Sequence, residues 1–141
     1  MTRSTWTPSL RLSTPATTPQ ELLWANARLT RVLHERCGDI IRALLSAAAA
    51  DADVAPAEAE GRRVHREGCL GVVEQLHAMQ ALAKHVTVDR ASAILTTLTA
   101  PESVDRLTRE HGWTYEELEE WLAGQRDPFS GGFCRIRRSH L

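Results

Sequence analysis

The sequence predicts an all-α fold, an antiparallel helical bundle of two long helices followed by three shorter ones. Three observations predict it. Apolar residues recur at intervals of three and four over two long stretches, the period of a helix buried along one side. No stretch alternates apolar and polar residues with the period of two that a half-buried strand shows. Stop and start signals at Pro56, Pro101 and Gly112 to Thr114 then divide the chain into helix-sized pieces. With 141 residues the chain is one domain's worth of polymer, and its formal net charge of −1 sets up no global field that would draw in nucleic acid.

Residues 1–19 are rich in Thr, Ser and Pro and lack any acidic residue, a composition that predicts a disordered, linker-like N-terminal segment. Trp6, Leu10 and Leu12 are its apolar exceptions. From Gln20 the pattern becomes helical, with Leu22, Leu29, Val32, Leu33, Cys37, Ile40, Ile41, Leu44 and Leu45 at three- and four-residue spacing. Asn26 and Gly38 are weak points within it. Ala47 to Ala50 can continue this helix to a break at Asp51 to Ala55. Pro56 suits the first position of a second long helix, with Glu58 and Glu60 in its first turn. This helix is predicted to run to about Lys84, placing Val64, Cys69, Val72, Val73, Leu76, Met79 and Ala83 on one side. Its Gly61, Gly68 and Gly71 either admit a close neighbour or are merely tolerated. The short connection between the two long helices makes them an antiparallel hairpin.

After a joint at His85 to Thr87, the residues Val88, Ala91, Ile94, Leu95 and Leu98 mark a short helix. Pro101 opens another, predicted to reach His111 with Val104 and Leu107 facing inward. Gly112 can take the left-handed conformation that closes it, with Trp113 folding back on Leu107. Thr114 suits the N-cap of the last helix, Glu117 completes a capping box, and Leu118 is placed to meet Trp113 as a hydrophobic staple. Tyr115, Leu118, Trp121 and Leu122 give that helix its apolar stripe, and Gly124 its stop. Residues 20–124 thus form the helical domain, and 125–141, broken by Pro128, Gly131 and Gly132, read as a mobile basic tail.

No phosphate-binding glycine loop, GxSxG, HExxH or paired CxxC occurs, so no catalytic residue and no cofactor are assigned. Glu119 and Glu120 are sequence neighbours that point apart on a helix, so they read as solvated carboxylates. The constellation that bears testing is His34 and Cys37 on the first long helix with His65 and Cys69 on the second. Two His and two Cys can hold zinc tetrahedrally. The histidines, however, fall at levels of the hairpin ~10 Å apart at ~1.5 Å per residue, so two core cysteines are the other reading and no metal ligand is assigned. Cys37, Cys69 and Cys134 are odd in number, and polar residues rather than an apolar run follow Met1, which together suggest a cytoplasmic protein. No segment approaches the ~20 apolar residues of a membrane span.

The segment Val88 to Leu122, VDRASAILTTLTAPESVDRLTREHGWTYEELEEWL, resembles the C-terminal effector and dimerisation domain of TetR-type bacterial transcriptional regulators. The shared order is a helix (here Ile94 to Thr99), a Pro-Glu break (Ala100-Pro101-Glu102), a helix ending in Gly112-Trp113, and an acidic aromatic last helix (Tyr115 to Leu122). The two long helices share the likeness less specifically. The resemblance implies a homodimer built on the last helices, with Ile94, Leu98, Leu118, Trp121 and Leu122 as candidate interface residues. It also implies a cavity for a hydrophobic small-molecule effector, with Leu33, Cys37, Ile40, Ile41, Leu44, Val72, Val73, Leu76 and Met79 as candidate lining, each of which equally suits ordinary core. Three departures stand out. Residues 1–19 are too short and too rich in Pro to supply the family's helix-turn-helix, so this chain is not expected to bind DNA directly. Thr96 stands where an aromatic residue often follows Ile-Leu, and the last helix stops early at Gly124. A small helical metal-binding protein or enzyme using His34, Cys37, His65 and Cys69, or a non-functional remnant of a regulator, is the alternative.

Overall fold

The computed structural model describes residues 15–124, so the tail at 125–141 and residues 1–14 lie outside the described residues. Five α-helices and one π-helical turn make up the fold, two long helices followed by shorter ones, with no strand among the described residues. None of the helices is long and apolar enough to cross a membrane.

Helix α1, Pro19–Ala50, runs unbroken through Asn26 and Gly38 for 32 residues. Its start is fixed chemically. Pro19 sits at the first position, where no amide is needed, and Thr18 and Glu21 exchange the reciprocal hydrogen bonds of a capping box at 3.2 Å each. It ends at Asp51, whose backbone amide donates to the Ala47 carbonyl and whose carboxylate accepts from the Asp53 amide at 2.8 Å, turning the chain. Helix α2, Ala55–Ala78, returns alongside.

Helix α2 stops six residues before the Lys84 predicted from sequence. The cause is Gln80, held in the left-handed region at φ 57°. The Ala81 amide donates to the Leu76 carbonyl and the Gln80 amide to the His77 carbonyl, both at 2.9 Å, the two bonds of a Schellman cap. A glutamine here gives no sequence signal, because glycine or asparagine usually fills this position.

Helix α3, Val88–Leu98, is capped by Thr87, which accepts the Arg90 amide at 3.2 Å. Helix α4, Pro101–Asp105, widens into a π-helical turn over Arg106–Glu110 instead of continuing as α-helix to His111. The His111 amide reaches back to Arg106 and the Trp113 amide to Leu107, at 3.1 and 3.0 Å. Thr108 turns its hydroxyl onto the Val104 carbonyl at 2.8 Å, a back-bond that favours such loosening. Gly112, at φ 72°, then reverses the chain as its sequence context predicts. Helix α5, Tyr115–Ala123, opens with the predicted capping box of Thr114 and Glu117, at 2.7 and 3.1 Å.

Two apolar clusters hold these elements. One joins Leu22 and Leu23 of α1, Cys69, Val73 and Leu76 of α2, and Ala91 and Leu95 of α3. The other joins Ala27 of α1, Val104 of α4, and Leu118, Leu122 and Ala123 of α5. Leu76 and Val73 of the first cluster and Leu118 and Val104 of the second are the largest fully enclosed side chains among the described residues, each contributing about 1.5–3 kcal/mol by leaving water. Helix α1 is therefore the shared wall, giving Leu22 and Leu23 to the first cluster and Ala27, one turn on, to the second.

Candidate functional site

Between the clusters lies a polar joint. Thr30 and His34 of α1 and Thr99 at the end of α3 are buried, although all three are polar. Such groups are tolerated inside a protein only when their hydrogen bonds are met. Thr30 donates to the Asn26 carbonyl at 3.0 Å. Thr99 is the centre of the rest: its hydroxyl lies 2.8 Å from the Leu95 carbonyl, 2.8 Å from His65 Nε2 and 3.6 Å from Cys69 Sγ.

The hydrogens can be placed by counting. A carbonyl only accepts, so the single hydroxyl proton of Thr99 goes to Leu95. Thr99 Oγ1 must then accept from His65, which fixes His65 as the Nε2–H tautomer, and the Cys69 thiol is left as a weak second donor. Thr99 thus ties α2 to the end of α3 just where Pro101 begins α4.

Burial lowers the pKa of His34, with Asp105 of α4 opposing the shift and His65 and Arg42 adding to it. Burial likewise lowers that of His65, against Glu102 and together with Arg62 and Arg66. Both imidazoles are accordingly held neutral near pH 7. Ion pairs ring the joint: Arg42 bonds Asp39 on its own helix and Asp105 at 3.1 Å, and Arg62 bonds Glu58 and, at 2.7 Å, Glu102. Helix α5 is latched over the opposite side by Arg31, which reaches Glu116 at 2.8 Å and Glu119 at 2.9 Å. The Tyr115 hydroxyl donates to the His34 carbonyl at 3.3 Å. Gly38 lies beneath this contact: a Cβ there would come 3.2 Å from the flexible end of Arg42 and 4.0 Å, an ordinary contact, from the Tyr115 hydroxyl.

The four residues singled out for metal binding do not converge on one point. His65 and Cys69 meet at Thr99, and the Nε2 proton of His65 is engaged there. Cys37 is a half-buried free thiol, and no group of three or more His, Cys, Asp or Glu that could hold a metal ion occurs among the described residues. Glu119, read as solvated, is engaged by Arg31.

The candidate effector-lining residues are distributed over three environments. Val73 and Leu76 are enclosed in the first apolar cluster, with Val72 packed against it. Cys37, Ile41, Leu44 and Met79 are half-buried. Leu33 and Ile40 lie on the outer surface of α1. Of the candidate interface residues, Leu118 and Leu122 are buried within the protomer, and Ile94, Leu98 and Trp121 are half-buried. A cavity of about 290 Å³ opens beside them, lined by Leu98, Glu102, Ser103, Arg106, Leu107, His111 and Trp121. The Trp121 ring meets Trp113 edge to face, centroids 5.8 Å apart and planes at 88°. Thr99, the hub of the joint, escaped sequence reasoning; its one signal is a threonine at the C-terminal end of a helix two residues before a proline. Compared with known proteins, the chain matches no family profile, no curated protein and no solved structure.

Proposed function

We propose that residues 20–124 are a small-molecule-sensing and dimerisation domain of a TetR-like transcriptional regulator, in which a helix-turn-helix head elsewhere in the regulator reads DNA. The reading is supported above all by the chain's last three helices. Pro101 separates α3 from α4, the π-helical turn and Gly112 swing the chain round, and the capped α5 packs Leu118 and Leu122 inward while Leu98, Leu107 and Trp121 remain half-exposed around the cavity. A half-covered apolar patch beside a depression suits a two-fold contact in which each copy fills the other's hollow.

Sensing would work through the polar joint. An apolar effector that binds between α1 and α2 more tightly in one arrangement than another shifts the balance between them, by no more than that difference in affinity. The Thr99 link would carry a movement of α2 to the start of α4, and so to the dimer face. Light scattering on the full chain should give twice the protomer mass, and members of a hydrophobic small-molecule library should raise its thermal midpoint. A clean monomer that no compound stabilises would end this reading.

A further inference from the structure

The cavity bounded by α3, α4 and α5 pairs an apolar interior with a mouth whose polar groups are only partly satisfied. Its volume of about 290 Å³ lies at the small end of ligand pockets, which begin near about 300 Å³. Half-buried Leu98, Leu107 and Trp121 form the interior, and the Trp121 indole is braced edge to face by Trp113. The exposed Glu102, Arg106 and His111 stand at the mouth, with Ser103 beside them.

Two of these four polar side chains are committed elsewhere. Ser103 donates its one hydroxyl proton to the Thr97 carbonyl at 2.6 Å, and Glu102 accepts from Arg62 at 2.7 Å. The other two are not. The side chains of Arg106 and His111 make no hydrogen bond among the described residues. The one carboxylate near Arg106 is Glu110, 3.7 Å from its Nε on the same turn, with the two side chains 71% and 64% exposed. That separation is too long for a hydrogen bond, and an exposed pair of this kind contributes little. Glu117, one turn before Trp121 on α5, is engaged by the Thr114 amide at 2.7 Å. The carboxylate that lines the cavity is therefore matched, and what remains unmatched are donors, a guanidinium and an imidazole N–H.

We propose that this cavity binds a small, largely apolar monocarboxylate. Its hydrocarbon part lies against Leu98, Leu107 and Trp121, and its carboxylate accepts from Arg106 and His111, a guanidinium being able to give two parallel N–H···O bonds. A cation would meet the bare guanidinium. A dianion fits less well than a monoanion, because Glu102 and Glu110 stand close to the donors and repel a second charge. The site is separate from the space between α1 and α2 ascribed to the effector, and it does not depend on the two-fold contact. Where that contact forms, the acid and the second copy compete for one hollow.

The test titrates the full chain with benzoate and with benzamide, which has the same shape and no charge, by isothermal calorimetry. Hydrogen bonds from a charged donor make benzoate the tighter by about tenfold or more. Arg106→Gln should remove that preference. Arg109→Gln takes the same charge from an exposed position outside the lining and should leave it intact. Both positions are exposed, and an unchanged circular dichroism spectrum confirms the fold of each variant. Equal binding of the two compounds, binding of neither, a preference that survives Arg106→Gln, or one that Arg109→Gln removes as well overturns the proposal. Light scattering separates this site from the two-fold contact. A monomer that binds benzoate through Arg106 sinks the contact and upholds the site, whereas a dimer that neither binds benzoate nor is dissociated by it overturns the site and gives the hollow to the second copy.

Discussion

Replacing Thr99 with valine removes the hydroxyl at the centre of the polar joint while keeping its shape, which makes it the sharpest probe of how α2, α3 and α4 are tied. The Leu95 carbonyl loses a donor that only supplemented the helix ladder. His65 loses its acceptor, and its Nε2 proton is left in a part-buried site. A typical intramolecular hydrogen bond is worth about 1 kcal/mol net, and stranding a buried partner costs about 1–3 kcal/mol. We therefore expect a loss of about 2 kcal/mol. At an unfolding entropy of about 2.1 cal/mol/K per residue over residues 15–124, that loss lowers the thermal midpoint by roughly 9 °C. Thr97→Val is the internal control. Its hydroxyl makes the same kind of back-bond, to Ala93 at 2.8 Å, but is exposed and accepts from no side chain, so its effect should stay within about 0.5 kcal/mol. Urea and thermal unfolding of the two variants, read by circular dichroism, decide the matter. Equal effects for Thr97→Val and Thr99→Val would refute the hub. In the double variant His65→Leu, Thr99→Val, the combined cost should fall below the sum of the single costs, because the stranded donor is gone.

Three further outcomes follow from other features. Gln80→Gly should stabilise the chain by about 0.5–1 kcal/mol, the relief of a left-handed side chain at φ 57° less the extra entropy of glycine when unfolded; a loss of stability in urea would contradict the Schellman cap. Gly112→Ala should do the reverse, costing about 1 kcal/mol at φ 72°, and a neutral result in the same titration would mean that this turn is not left-handed. Acid should weaken the fold. Burial holds the pKa of His34 and His65 below the ordinary 6.5, so the unfolded chain binds more protons and their contribution, complete above about pH 6.5, is lost as pH falls from there toward the folded values. Each unit of separation is worth about 1.4 kcal/mol. Urea midpoints between pH 7.5 and 5.5 should fall less steeply for His34→Gln than for the parent, and parallel curves would show that His34 is not buried neutral.

The parts of the fold that are legible in the sequence are those set by local backbone chemistry. Pro101, Gly112, Thr114 and Glu117 announce their helix ends because each residue type satisfies or avoids a particular backbone group, whatever surrounds it. The end of α2 is illegible because Gln80 does the work of a glycine, and the π-helical turn because no composition distinguishes it from α-helix. Faces are harder still. Apolar residues lie on two sides of α1, while Thr30, His34 and Gly38 sit on its buried line, so periodicity alone does not say which side meets the rest of the bundle. The joint around Thr99 depends on three helices converging and leaves no mark in any one of them. Trp113 adds a contact that local spacing does not announce: its backbone meets Leu107 across Gly112, and its ring is set against Trp121 eight residues on.

The π-helical turn at Arg106–Glu110 makes α5 sensitive to chain length in a way that the rest of the domain is not. An added residue between α4 and Gly112 is what lets the Trp113 amide span back to Leu107. Deleting one position there, for instance Thr108, would return the segment to ordinary α-helical phase and turn everything after it by about 100° about the α4 axis. Leu118 and Leu122 would then be rotated off the surface of α1, although every side chain that holds α5 was still present. Substitutions in this stretch should be absorbed one atom at a time, whereas a single-codon deletion would cost the whole placement of the last helix.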